Sequence, residues 1–129
     1  MADTRPGSGQ TVLVTGASMG IGVDLAECFA ADGYDVVLTA RSEAPLRTLA
    51  DRLAKDHRVK ATVIPGDLAE MGGGSKLAAE VRRRALTIDV LVNNAGYGIA
   101  GSFVNALLMP SKFIHPAEVD ARVRDVRYR

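Results

Sequence analysis

The stretch Thr15-Gly16-Ala17-Ser18-Met19-Gly20-Ile21-Gly22 constrains the fold of this chain more than any other. Before it stands Thr11-Val12-Leu13-Val14-Thr15, a β-rich run suited to a buried parallel strand. After it, Ile21, Leu25, Cys28 and Phe29 recur at i, i+4, i+7 and i+8. That spacing predicts one apolar face of a helix, closed by Gly33, with Cys28 as a buried, inert thiol. A strand, a glycine-rich turn and a helix in succession offer an anion free backbone N–H groups and the positive end of the helix dipole. Gly16, Gly20 and Gly22 allow tight turning and close approach to a diphosphate, and Ser18 adds a hydroxyl. A P-loop is excluded, because Gly22-Val23 stands where that motif needs Gly-Lys-Ser/Thr. Taken in isolation, the turn also fits a tight strand–helix link whose glycines serve geometry alone.

The same alternation continues down the chain. Asp35 to Thr39 reads as a second strand, and Leu46, Leu49, Ala50 and Leu53 mark a second helix with Pro45 in its first turn. Ala61 to Ile64 reads as a third strand. Leu77, Ala78, Val81 and Ala85 mark a third helix, with Ser75 as its N-cap and Gly72-Gly73-Gly74 as a loop leading in. Ile88 to Val92 reads as a fourth strand. Such alternation predicts right-handed βαβ units: an α/β fold of three layers, a Rossmann-like parallel sheet with helices on both faces, truncated after the fourth strand. The predicted division is a flexible arm over 1–10, a dinucleotide-binding half over 11–98 and a divergent tail over 99–129. In the tail, Val119, Val123 and Val126 suggest a short amphipathic helix.

Composition narrows the function classes. The chain has 129 residues, 47% hydrophobic and 24% charged, the mix of a folded single domain. A net charge of +1 does not favour nucleic acid as a partner, and no apolar run approaches the roughly 18 residues of a membrane span. The N-terminus lacks the apolar core of a secretory signal. A single cysteine, Cys28, makes neither an internal disulfide nor a metal cluster, so a cytoplasmic setting and no metal site are expected. His57 and His115 are solitary and read as solvated or hydrogen-bonded side chains. Arg82-Arg83-Arg84 points around its helix and reads as a solvated surface.

Two further places carry binding chemistry. The second strand ends in Thr39-Ala40-Arg41-Ser42, near where NAD-binding folds place a carboxylate for the ribose 2′-hydroxyl. Ala40 offers no carboxylate, and Arg41 offers a permanently charged planar fork suited to a phosphate, so NADP(H) is favoured over NAD(H). Asn93-Asn94-Ala95-Gly96 follows the fourth strand, at the end of a parallel sheet where ligands bind; a plain turn is the alternative.

Together with Gly66-Asp67-Leu68 after the third strand, these motifs in this order resemble the short-chain dehydrogenase/reductase family. The resemblance implies a fold that binds a nicotinamide dinucleotide for hydride transfer between the nicotinamide and an alcohol or carbonyl. It implies that Gly16, Gly20 and Gly22 shape the cofactor turn and that Ser18, Met19 and Ile21 line it. Met19 stands where a second small polar residue is usual. Arg41 would meet the 2′-phosphate. Asp67 and Leu68 would flank the adenine, with Asp67 bonding its amino group, and Asn93, Ala95 and Gly96 would border the adenosine ribose. Asn93 and Asn94 also fit a structural role.

The resemblance also implies a catalytic Ser and Tyr-x-x-x-Lys, which the chain lacks: Leu38 follows Tyr34 by four, Gly101 follows Tyr97 by four, and Tyr128 is followed only by Arg129. No catalytic residue is therefore assigned. The chain reads as an N-terminal part of an oxidoreductase, inactive alone. A non-catalytic dinucleotide-binding or interaction module and a truncated or frameshifted product are the other readings. The fourth strand is predicted to leave an open apolar edge that invites self-association.

Overall fold

The computed structural model describes residues 3–94 and the backbone of 124–127. Strands β1 (Thr11–Thr15), β2 (Asp35–Thr39), β3 (Ala61–Val63), β4 (Val90–Asn93) and β5 (Arg124–Arg127) form one sheet in the order β3-β2-β1-β4-β5, every adjacent pair parallel. Helices α1 (Ile21–Ala31), α2 (Glu43–His57) and α3 (Gly73–Arg83) link the first four strands.

Parallel strands covered on both sides need apolar residues at successive positions, and β1 and β2 supply them. Val12, Val14, Val36 and Leu38 join a core with Ala26 and Ala30 of α1 and Leu46 and Leu53 of α2. Leu13, Val37 and Leu91 join a second core with Leu77 and Val81 of α3. Alternation along each strand thus builds the three layers expected from the sequence. Each fully buried leucine, such as Leu13 or Leu53, contributes about 1.5–3 kcal/mol of transfer free energy. Carboxylates secure the strand entrances: Asp89 Oδ2 accepts the Thr11 N–H at 2.8 Å, and Asp35 Oδ1 accepts the Lys60 N–H at 2.9 Å.

Several expectations are corrected. Helix α1 turns Gly22, Ala26 and Ala30 to the sheet, while Cys28 is exposed and Ile21 is 46% exposed. The reason is proximity: a Cβ on Gly22 would run into the Gly16 carbonyl oxygen, so the face nearest the sheet must be small. Helix α3 is capped by Gly72 rather than Ser75, and Gly73 is a buried helical residue. A Cβ on Gly73 would run into the Asp67 carbonyl oxygen, which explains a glycine inside the helix rather than in a lead-in loop. Ala85 lies beyond this helix, exposed, with φ +55°.

Residues 5–10 are held against the domain rather than free. The Gly7 N–H donates to the Asp32 carbonyl (2.8 Å), the Arg5 guanidinium to the His57 carbonyl (2.6 Å), and the Asp35 N–H to the Gln10 carbonyl (3.0 Å). The apolar edge of β4 is not open either. Residues 124–127 form a strand, not part of a helix, and pair with it from Val90↔Arg124 to Asn93↔Arg127. A buried strand with unpaired N–H and C=O groups is satisfied by strand addition, and the Arg-Asp-Val-Arg sequence of β5 suits the charged edge of a sheet. Residues 95–123, including the rest of the tail, lie outside the described residues.

Candidate functional site

The sheet order sets the place of the site. From β1 the chain moves to β2 and β3 on one side, then crosses to β4 on the other. The carboxyl ends of β1 and β4 therefore flank the crevice where connections diverge, the position at which open α/β sheets take ligands. The glycine turn and Asn93-Asn94 are both brought there.

The turn is shaped by its backbone. Gly16 and Gly20 have φ of +67° and +62°, and Gly20 is the N-cap of α1. Val23 and Asp24 donate to the Gly20 carbonyl at 3.1 and 3.3 Å. The N–H groups of Ile21 and Gly22 precede any intrahelical acceptor, and neither they nor those of Ser18 and Met19 donate to another described residue. Four donors without a described partner thus lie at or beside the positive end of α1. Ser18 is half-buried, and Met19 is 77% exposed on the rim. Ala17 is fully buried and anchors the turn, its N–H donating to the Thr39 carbonyl at 3.2 Å.

Asn94 fastens the turn from the opposite strand. Its side-chain Nδ2 donates to the Gly16 carbonyl at 3.3 Å. Its backbone N–H donates to Thr15 Oγ1 at 2.9 Å, and that hydroxyl donates to the Val92 carbonyl at 3.3 Å. A Cβ on Gly22 would also fall 2.7 Å from Asn94 Nδ2. The motif pattern left Asn94 between a binding and a structural role; here it braces the turn. Asn93 is fully buried at the end of β4.

The remaining expected residues lie on the same rim. Arg41 is exposed just beyond β2 and makes no hydrogen bond or ion pair with another described residue. Asp67 is half-buried, its Oδ1 accepting the Ala69 N–H at 2.9 Å, and Leu68 is buried beside it. The Gly66 N–H donates to the Ala40 carbonyl at 3.0 Å, joining this loop to the end of β2. Ala95 and Gly96 lie outside the described residues. Sequence patterning missed Ala17 and Thr39, whose backbone bond joins the turn to β2. Their signal was only their place at the strand ends.

The donor set fits a nicotinamide dinucleotide. Backbone N–H groups at a helix N-terminus that donate to no described residue suit a diphosphate, and a guanidinium bonded to no described residue suits a phosphate monoester. Among the described residues no group of three His, Cys, Asp or Glu could hold a metal ion. Among them, too, no helix is long and apolar enough to cross a membrane.

The pattern of the short chain dehydrogenase family matches residues 10–113. Ketoacyl reductase HetN of Nostoc sp. is 39% identical over 98 residues, 76% of this chain and 34% of that protein. A short-chain dehydrogenase from Sphingobium yanoikuyae, solved in complex with NADPH, superposes with a TM-score of 0.65 at 41% identity, covering 74% of this chain and 37% of that one. L-sorbose reductase from Gluconobacter frateurii, complexed with NADPH and L-sorbose, superposes with a TM-score of 0.69 at 35% identity, over 76% of this chain and 37% of that one. The chain thus spans about a third of the length of the relatives it matches. The likeness extends past residue 98, where the short motifs stop, so the family match takes in residues 99–113 of the tail read as divergent. That stretch carries no compact motif through which its membership could be read.

Proposed function

Since the chain belongs to the short-chain dehydrogenase family, we propose that it binds a nicotinamide dinucleotide at the glycine turn and favours NADP(H) over NAD(H). The observation that carries this is that the N–H groups of Ser18, Met19, Ile21 and Gly22, at the N-terminus of α1, donate to no other described residue. When bound, the cofactor supplies the hydride chemistry of the family. The chain's own residues hold it. The turn and the N-terminus of α1 take the diphosphate. Arg41 takes the 2′-phosphate, with Ala40 leaving no like charge beside it. Asp67 and Leu68 bracket the adenine, and Asn93, with Ala95 and Gly96, borders the ribose. The NADPH complexes among the structural relatives support this reading.

These 129 residues contain no Tyr-x-x-x-Lys. A tyrosine hydroxyl titrates near pH 10 without help, too high for proton exchange at neutrality, and an adjacent lysine is what lowers it. We therefore propose that these residues bind the dinucleotide without turning over a carbonyl or alcohol. A single exposed cysteine suits a reducing cytoplasm.

Calorimetric titration of the chain with NADPH and NADH tests the binding, with the tighter Kd expected for NADPH. Absence of heat with both would end the reading. Oxidation of NADPH by the pure chain with generic carbonyls would overturn the claim of no turnover.

A further inference from the structure

Among the described residues, the buried polar side chains are Thr15, Thr39 and Asn93, all at most 1% exposed. They form one row. Thr15 is in register with Thr39, and Val14 with Val92, which sets Asn93 level with Thr15. By strand alternation the row lies on the face carrying Leu13, Val37 and Leu91, at the carboxyl ends of three adjacent strands. The Thr15 hydroxyl is satisfied from both sides, and Asn93 also has a partner. Thr39 Oγ1 has none.

A buried hydroxyl without a partner costs free energy that a valine of the same shape would not. Such a violation is expected where function requires the group. The backbone of this strand end carries both rims of the site: the Thr39 carbonyl accepts from Ala17 in the glycine turn, and the Ala40 carbonyl accepts from Gly66 in the Asp67 loop. Thr39 Oγ1 lies 3.9 Å from where a Gly66 Cβ would sit, the nearest heavy atom there outside Gly66 and its chain neighbours, so the hydroxyl is within van der Waals range of that position on the loop.

We infer that Thr39 is a positioning residue for the dinucleotide, its hydroxyl gaining a partner in the Pro65–Asp67 backbone when a nucleotide is held between that loop and the glycine turn. The inference rests on the dinucleotide-binding reading above. Thr39 itself touches no ligand. It stores an unmade hydrogen bond in the free protein and completes it in the complex, so that binding and closure of the loop are coupled.

The test compares wild type, Thr39→Val and Thr39→Ser, each as the full chain. Without cofactor, the thermal midpoint of T39V should equal or exceed that of wild type. With NADPH, its Kd by calorimetry should rise about 3- to 10-fold, one net hydrogen bond, while T39S stays near wild type. Amide hydrogen exchange should show NADPH slowing Gly66 to Leu68 in wild type and T39S but not in T39V. A lower midpoint for T39V would mean that the hydroxyl is already partnered in the free protein, and would overturn the inference. An unchanged Kd or unchanged exchange in T39V would do the same. If wild type fails to bind NADPH, the dinucleotide reading itself falls; if wild type binds and T39V is indifferent, only the role of Thr39 falls.

Discussion

Asn94 Nδ2 donates to the Gly16 carbonyl oxygen at 3.3 Å, closing a contact across 78 residues of sequence. The bond fixes the turn that presents the free N–H groups by fastening it to the far side of the crevice. Replacing Asn94 with Ala removes this side-chain bond while leaving the backbone bond to Thr15 Oγ1 intact. A loss of about 0.5–1.5 kcal/mol of stability is expected, with NADPH binding weakened several-fold. Denaturant unfolding and calorimetry check the two effects. A variant with unchanged affinity would remove the brace from the account of the site.

Gly22 tolerates no side chain. Its Cβ would meet the Gly16 carbonyl, which is backbone and cannot swing aside. Gly22→Ala should cost about 1–3 kcal/mol and abolish measurable NADPH binding, because the turn must deform to make room. The neighbouring Met19, mostly solvent-exposed, gives the contrast. Met19→Ser should change stability by no more than about 0.5 kcal/mol and, by adding a hydroxyl at the cradle, should tighten NADPH.

Arg41 carries the proposed cofactor preference. It is exposed and makes no bond to another described residue, so its replacement should leave the unfolding midpoint nearly unchanged. Arg41→Asp should reverse the ratio of NADPH to NADH affinities, since a carboxylate repels a 2′-phosphate and accepts from a 2′-hydroxyl. The ratio of the two Kd values is the readout, and an unaltered ratio would take Arg41 out of the site.

Stability should fall in acid partly through Glu27. The hydrogen bond from His57 Nε2 (2.8 Å) and then the charge of Arg52 (2.6 Å) hold its carboxyl below the usual 4.5, bridging α1 and α2. A carboxyl with a depressed folded-state pKa contributes stability that is present above its unfolded value. That contribution is lost as pH falls through the folded value. Urea midpoints of wild type and Glu27→Gln should therefore differ near pH 6 and converge only as pH falls through the lowered folded-state value, beneath 4.5. Glu80, drawn down to about 2 by Arg83 and Arg84, adds a further acid slope to both curves. Parallel curves across the whole range would rule out the bridge.

Much of the fold is legible in short stretches of sequence, because it depends on residues a few positions apart. Leu46, Leu49, Ala50 and Leu53 name the buried face of α2 correctly, because their helical spacing alone puts large apolar side chains on the side facing the core. The same rule fails for α1. It selects Cys28 and Ile21 for their hydrophobicity, while the sheet accepts Gly22, Ala26 and Ala30 for their size. It fails again for Gly73, whose place inside α3 depends on the Asp67 carbonyl beyond the helix start.

Local sequence sets the alternation of strands and helices, the glycine-rich turn after β1, the presence of Arg41 without an acidic neighbour, and the want of a Tyr-x-x-x-Lys. These follow from local sterics, periodicity and residue identity. Only the tertiary structure decided that Asn94 braces Gly16, that β5 closes the edge of β4, and that the Thr39 hydroxyl is buried without a partner. Each of these turns on distances between segments far apart in the chain, which packing sets and residue spacing does not encode.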